Sequence, residues 1–258
     1  MAGSAAKCIS GKRMTNNSVD PVAALLSVLL IDAVVLGLAI VWFWAGVFVV
    51  RRLGHPAGYG LGALGFSKPK SGYFAAVKLG LVVGVGALAV NFVVFPLSIF
   101  VLEELGYSAD RTVQEPLMRG IQGWVEESPG IAIPATIFVV VLFAPAVEEV
   151  IFRGAVYGGL RKLVALLLGR LRRLGKGPGR IGGSVSFIFA ALISSALFAL
   201  LHLELVLLPA LFALAIALCV LYQRTDSLLP CFVAHASFNS FAVLIIILSG
   251  LGALPVQI

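Results

Sequence analysis

Three formally charged residues stand close together inside an apolar part of the sequence, in the run APAVEEVIFRG from Ala144 to Gly154. They are Glu148, Glu149 and Arg153. At the centre of a membrane helix each such charge costs about 2.5–3.5 kcal/mol on insertion scales. Ionisable residues at membrane depth therefore indicate a functional site.

The spacing of these residues separates the two glutamates. Glu149 and Arg153 are four residues apart, so on a helix they share a face and can neutralise each other. Glu148 is rotated by about 100° from Glu149. The sequence thus predicts one carboxylate held by arginine and a second one pointing into a cavity. A buried ion pair that only fixes helix packing would leave Glu148 unpaired.

Two of the three histidines, His202 and His235, also lie in apolar segments. Phe198 precedes His202 by four residues, and Asn239 follows His235 by four, so each pair shares a helix face. A carboxylate and a histidine can activate water, and a histidine with an amide can donate hydrogen bonds to a tetrahedral oxyanion. These residues suit hydrolysis, although a lone membrane histidine is more often a hydrogen-bonding group between helices.

The elements that must position these residues are membrane helices. The chain is 60% hydrophobic and only 12% charged, about half the charge of a typical soluble domain. A helix needs about 20 apolar residues to cross a bilayer, which predicts an all-α polytopic membrane bundle of about six helices, with seven possible. The predicted segments are residues 22–50, 73–102, 130–160, 185–203, 205–222 and 228–248.

The remaining residues give the expected domain organisation and topology. Residues 1–20 are predicted to be a mobile polar tail, and 21–258 a single membrane-embedded domain. Trimming the first segment to residues 33–50 places Asp32 at its outer boundary. Lys and Arg concentrate after the first, third and fifth segments, whereas 103–129 is an acidic polar connector. Because Lys and Arg favour cytoplasmic loops, we expect residues 161–182 to face the cytoplasm from a multi-pass plasma-membrane protein.

The net charge of +7 is accordingly loop charge that orients helices in a lipid bilayer, and no nucleic-acid partner is expected. The three cysteines lack the spacing of a disulfide framework.

Three motifs stand in order on successive apolar segments: Glu148-Glu149-x-x-x-Arg153, Phe198-x-x-x-His202 and His235-x-x-x-Asn239. Together they resemble the motifs of the CPBP family, the CAAX-prenyl-protease and bacteriocin-processing intramembrane proteins. The resemblance covers about residues 131–248, the expected catalytic core. It implies a glutamate-dependent endopeptidase that acts on a peptide or membrane-protein substrate without a cofactor.

Carried over by motif, the resemblance implies a role for each residue. Glu148 would be the general base, with His202 helping to hold and activate water. His235 and Asn239 would stabilise the oxyanion. The residues that would arrange the site are Glu149, Arg153 and Phe198.

Other interpretations stay open. One is a non-catalytic membrane partner that regulates another membrane protein. Another is a zinc protease, since carboxylates and imidazoles are competent zinc ligands, although no His-Glu-x-x-His motif occurs. Its ligands would come from Glu148, Glu149, His202 and His235. A proton-coupled transporter would also use membrane Glu and His.

Overall fold

A computed structural model of the chain describes residues 20–52, 61–107, 114–173 and 182–254. Within these ranges the backbone is almost entirely helical and has no β-strand. The α-helices are α1 (Pro21–Arg52), α2 (Tyr73–Glu104), α3 (Glu115–Glu127), α4 (Pro129–Thr136), α5 (Ala144–Glu149), α6 (Gly158–Arg173), α7 (Gly182–Leu201), α8 (Leu208–Thr225) and α9 (Leu228–Gly250).

Six helical stretches are long and apolar enough to cross a membrane, which confirms the predicted all-α bundle. Five of them are α1, α2, α7, α8 and α9, and the other is a composite stretch over Pro129–Leu171. Large apolar side chains point outward, for example Leu30 at 70% and Phe74 at 85% exposure. Apolar surface on this scale suits contact with lipid rather than water. The protein is an integral multi-pass membrane protein.

The composite crossing carries the two glutamates and is not a uniform α-helix. Two π-helical segments, Ile137–Phe143 and Val150–Tyr157, lie on either side of α5. Pro145 near the start of α5 has no N–H and cannot make the usual bond to the carbonyl four residues earlier. The N–H of Ala144 instead reaches back five residues, to the carbonyl of Val139. Such wide turns are frequent at functional sites.

Helix α1 is longer than the trimmed segment 33–50. It is continuous over 32 residues, about 48 Å, so Asp32 does not mark the start of the helix, and the position of the membrane boundary at Asp32 stays a prediction. Asp32 lies within the helix and is only 8% exposed. The apolar residues before Asp32 continue the helix because Leu25 packs in one cluster with Ile121 and Val125 of α3.

Helix α3 occupies part of residues 103–129, for which the sequence predicted only a polar connector. Its buried residues Ile121 and Val125 are spaced by four, so they form an apolar stripe on an otherwise polar helix. A Cβ on Gly250 of α9 would lie 2.8 Å from the Gln122 carbonyl and 2.8 Å from Val125. The small residue therefore allows α3 to pack closely on the end of α9.

Several predictions fall wholly or partly outside the described residues. These are the mobile tail, of which only residue 20 is described, and the part of the basic loop over 174–181. Helix α6 continues from the third crossing as far as Arg173, so the first part of the basic segment is helical. The cytoplasmic location of the basic loop stays a prediction.

Candidate active site

The buried ion pair of α5 and the following π segment is present as predicted. Arg153 Nη1 donates to Glu149 Oε1 over 2.9 Å, and each side chain is 1% exposed. Arg153 Nη2 also donates to the carbonyl of Ala215 in α8 over 3.5 Å. Buried charges are tolerated when they are paired and hydrogen-bonded. The pair therefore fixes the composite crossing against α8 and neutralises one glutamate.

Phe198 of α7 is the aromatic centre of the site. Arg153 Cζ lies 4.7 Å from the centroid of its ring, a favourable cation–π distance. The same ring lies 4.7 Å from the His202 ring and 5.4 Å from the His235 ring, measured between centroids. The end of α7 thus lies beside the eighth residue of α9, and the two histidine motifs meet despite their different positions along their helices.

His235 links the two glutamates. Its Nδ1 lies 2.9 Å from Glu149 Oε1, the oxygen that also pairs with Arg153. An ionised carboxylate can only accept, so Nδ1 is the donor. The other ring nitrogen, Nε2, lies 3.7 Å from Glu148 Oε2, beyond hydrogen-bond length. His235 is therefore oriented by Glu149 and directs Nε2 toward Glu148.

Glu148, unlike Glu149, makes no ion pair with Arg153 among the described residues, as the spacing predicted. Its side chain is 17% exposed, and its buried oxygen Oε2 has no hydrogen-bond donor among the described residues. Buried polar atoms nearly always have a partner, from the protein or from water. An acceptor in this position, beside an imidazole, is suited to bind a water molecule or a polar group of a substrate.

His202 lies just beyond the last residue of α7. Its Nδ1 is 2.7 Å from the carbonyl of Phe198, so Nδ1 carries the proton and Nε2 is an acceptor in the neutral ring. Within the described part of the chain no hydrogen bond joins His202 to Glu148. The Phe198 ring is the contact that ties His202 to the rest of the site.

Asn239 is held by the first π segment. Its Nδ2 donates to the carbonyl of Val140 over 3.1 Å. A carboxamide has two N–H donors, so one bond to Val140 fixes the amide and leaves a second donor. This contact bridges α9 and the composite crossing, which is the structural role that the sequence could not separate from an oxyanion role.

The zinc alternative named Glu148, Glu149, His202 and His235 as ligands, and it stays a prediction. Among the described residues, no group of three or more His, Cys, Asp and Glu side chains is arranged to hold a metal ion. Glu149 Oε1 is already shared by Arg153 and His235.

Comparison with known proteins identifies this part of the chain. Residues 130–241 match the family described as type II CAAX prenyl endopeptidase Rce1-like. The "Putative membrane peptidase YdiL" of Bacillus subtilis (strain 168) is 29% identical over 113 residues. These two matches support the CPBP family that the three motifs predicted. The aligned part is 44% of this chain and 38% of that relative, so the chain spans well under half of it. No solved structure matches.

Ser194 is a residue that stabilises the matched segment and that the sequence analysis did not identify. Its Oγ donates to the carbonyl of Phe152 over 2.9 Å and joins α7 to the second π segment. Ser194, Phe198 and His202 follow one another at intervals of four. The helical spacing that pointed to Phe198 would therefore have pointed to Ser194 as well.

Glu204 was missed too. It is 4% exposed and accepts from the backbone N–H of Gln114 over 3.2 Å. Gln114 immediately precedes α3, and a carboxylate at a helix N-terminus is favourable. The signal was available in the sequence, since Glu204 is an acid within an apolar run only two residues after His202.

Proposed function

We propose that this protein is an intramembrane endopeptidase that hydrolyses a peptide bond with water activated by Glu148 and His202. The observation that carries the proposal is Glu148 Oε2, which is buried beside His235 and has no donor among the described residues. It lies in a segment that matches an endopeptidase family. An unsatisfied buried acceptor costs about 1–3 kcal/mol, and a water molecule that donates to Glu148 would offset that cost.

In the proposed reaction, Glu148 takes a proton from water while the water oxygen forms a bond to the peptide carbonyl carbon. When the C–N bond then breaks, Glu148 returns the proton to the leaving nitrogen. His202 suits a second contact with water because its Nδ1 is committed to Phe198 and its Nε2 can accept. This chemistry requires no bound cofactor.

His235 and Asn239 are the proposed donors to the oxyanion that forms on the carbonyl oxygen. Asn239 offers its second N–H. His235 would donate from Nε2 when both ring nitrogens carry protons, with its ring held in place by the bond between Nδ1 and Glu149.

The proposal is tested with purified protein in liposomes and two internally quenched peptides that end in a CAAX sequence, one farnesylated and one not. Mass spectrometry of membrane peptides from wild-type and Glu148→Gln cells identifies other substrates. We expect cleavage products that depend on Glu148. No Glu148-dependent product in either assay would overturn the protease and favour the non-catalytic membrane partner. Preference between the two peptides shows whether the prenyl group is recognised.

Replacement of Asn239 by alanine distinguishes its two roles. Loss of one oxyanion donor typically lowers turnover by about 10²–10³ with little change in substrate binding. A bridging hydrogen bond between membrane helices is worth about 0.6 kcal/mol. We expect kcat of Asn239→Ala to fall by about 10²-fold with KM and Tm nearly unchanged. Full activity in a variant with a lowered Tm would show that the bond to Val140 is its whole function.

Chelation tests the zinc alternative. Because the candidate ligands do not form a metal-binding group in the described residues, we expect EDTA or phenanthroline to leave kcat unchanged. Buffer without chelator, and chelator pre-saturated with zinc, are the controls. Loss of activity that stoichiometric zinc restores would establish a metalloprotease.

A further inference from the structure

Asp32 of α1 is a buried acid that none of the three motifs contains. Its side chain is 8% exposed, and Oδ2 has no hydrogen-bond donor among the described residues. A charged or polar group in this state destabilises a helix bundle unless it has a partner. At membrane depth such a group is a candidate functional residue. Asp32 therefore requires an explanation beyond packing.

The packing of α1 places Asp32 at the level of the segment that carries Glu148. The buried face of α1 includes Leu25, Asp32 and Ala39, at intervals of seven residues. Leu25 belongs to a packed cluster with Val139, and Ala39 to one with Ile151. Asp32 lies between these two clusters, at the level of the segment between residues 139 and 151. That segment includes α5, which ends in the two glutamates.

Electrostatics agrees with this placement. The charged groups that act on Glu148 are His235 of α9, Asp32 of α1, the adjacent Glu149, and Arg153 of the second π segment. Glu149 is already bound to Arg153 and His235. Asp32 is thus the acid near Glu148 that has no counter-charge bound to it in the described part of the chain.

We infer that Asp32 is a positioning residue of the proposed protease, which acts through Glu148. When Glu148 takes a proton from water it becomes a neutral acid, and a carboxylate that faces it stabilises this protonated form. The proton later passes from Glu148 to the leaving nitrogen, so Asp32 gains and loses no proton overall. The inference rests on the proposed function, and α1 lies outside the matched family segment.

Kinetics of two Asp32 variants test the role. We expect Asp32→Asn to lower kcat by about 10- to 100-fold with KM within about twofold, because a displaced or weakened base loses about this much. Asp32→Glu keeps the carboxylate and should recover most of kcat. The matched control is Asp20→Asn: Asp20 precedes the same helix, is exposed, and caps the N–H of Val22, a role that asparagine performs equally well. Wild-type kcat in Asp32→Asn, or equal loss in Asp32→Glu, would overturn the inference.

A stability cycle gives an answer independent of catalysis. If Asp32 and Glu148 face each other, their effects on Tm are not additive. We expect the Tm shift of the double variant Asp32→Asn/Glu148→Gln to differ from the sum of the single shifts by about 2 °C or more. If the Tm shifts of the variants are additive while the wild-type protein cleaves peptide, the inference is overturned and the proposed function stands. If the Tm shifts are not additive and the wild-type protein cleaves no peptide, the result supports the placement of Asp32 facing Glu148 and overturns the proposed protease activity.

Discussion

Replacement of Glu148 by glutamine is expected to lower kcat by at least about 10²–10⁴-fold, the contribution of a positioned general base. Glutamine has nearly the same shape but cannot take a proton from water. The fold should survive, because Glu148 Oε2 has no donor among the described residues and the side chain is partly exposed. Cleavage of the quenched peptides and Tm of the purified protein measure the two effects.

Glu127→Gln is the matched control for this experiment. Glu127 is an exposed glutamate at the end of α3, so the same change there should leave kcat and Tm unaltered. A Glu148→Gln protein that keeps wild-type kcat would remove Glu148 from the reaction. A decrease in Tm as large as that of Arg153→Ala or Glu149→Gln would instead indicate that Glu148 is a structural residue.

Replacement of Arg153 by alanine is expected to cost about 3–5 kcal/mol of folding free energy, since removal of one partner leaves a buried charge uncompensated. Arg153 also contacts the Phe198 ring and the Ala215 carbonyl, so its loss loosens α7 and α8 as well. Glu149→Gln should destabilise the fold for the same reason. Both variants should lose activity together with stability, in contrast to Glu148→Gln. Unfolding in denaturant measures the change.

The chain contains a matched surface pair for comparison. Glu115 and Arg119 of α3 are also four residues apart, with Nη2 and Oε1 2.5 Å apart and side chains 27% and 59% exposed. Exposed pairs of this kind contribute about 0.3–0.5 kcal/mol. Arg119→Ala should therefore change stability little. Equal costs for Arg119→Ala and Arg153→Ala would mean that burial does not strengthen the pair at Arg153.

The parts of the site that depend on one helix could be predicted from the sequence. The bond between Glu149 and Arg153 follows from a spacing of four and needs no knowledge of other helices. The number of membrane crossings follows from apolar length in the same way. Local periodicity is enough for both.

The parts that depend on two helices could not be predicted. Nothing in the sequence shows that His235 Nδ1 meets Glu149, or that Asp32 is turned toward the inside of the bundle. Both facts follow from the rotation of one helix against another. The π segments were also hidden, because their hydrogen bonds depend on tertiary context as well as on Pro145.

The two π segments make the composite crossing tolerant of a change in chain length. A π-helical hydrogen bond spans five residues instead of four, so a one-residue deletion in Ile137–Phe143 would be absorbed by a return to α-helical turns, with both ends of the crossing still in place. Glu148 and Glu149 would keep their direction relative to α4, whereas the carbonyl of Val140 that holds Asn239 would move. Length changes within this crossing, and not only in loops, are therefore a route by which related chains could reposition this asparagine.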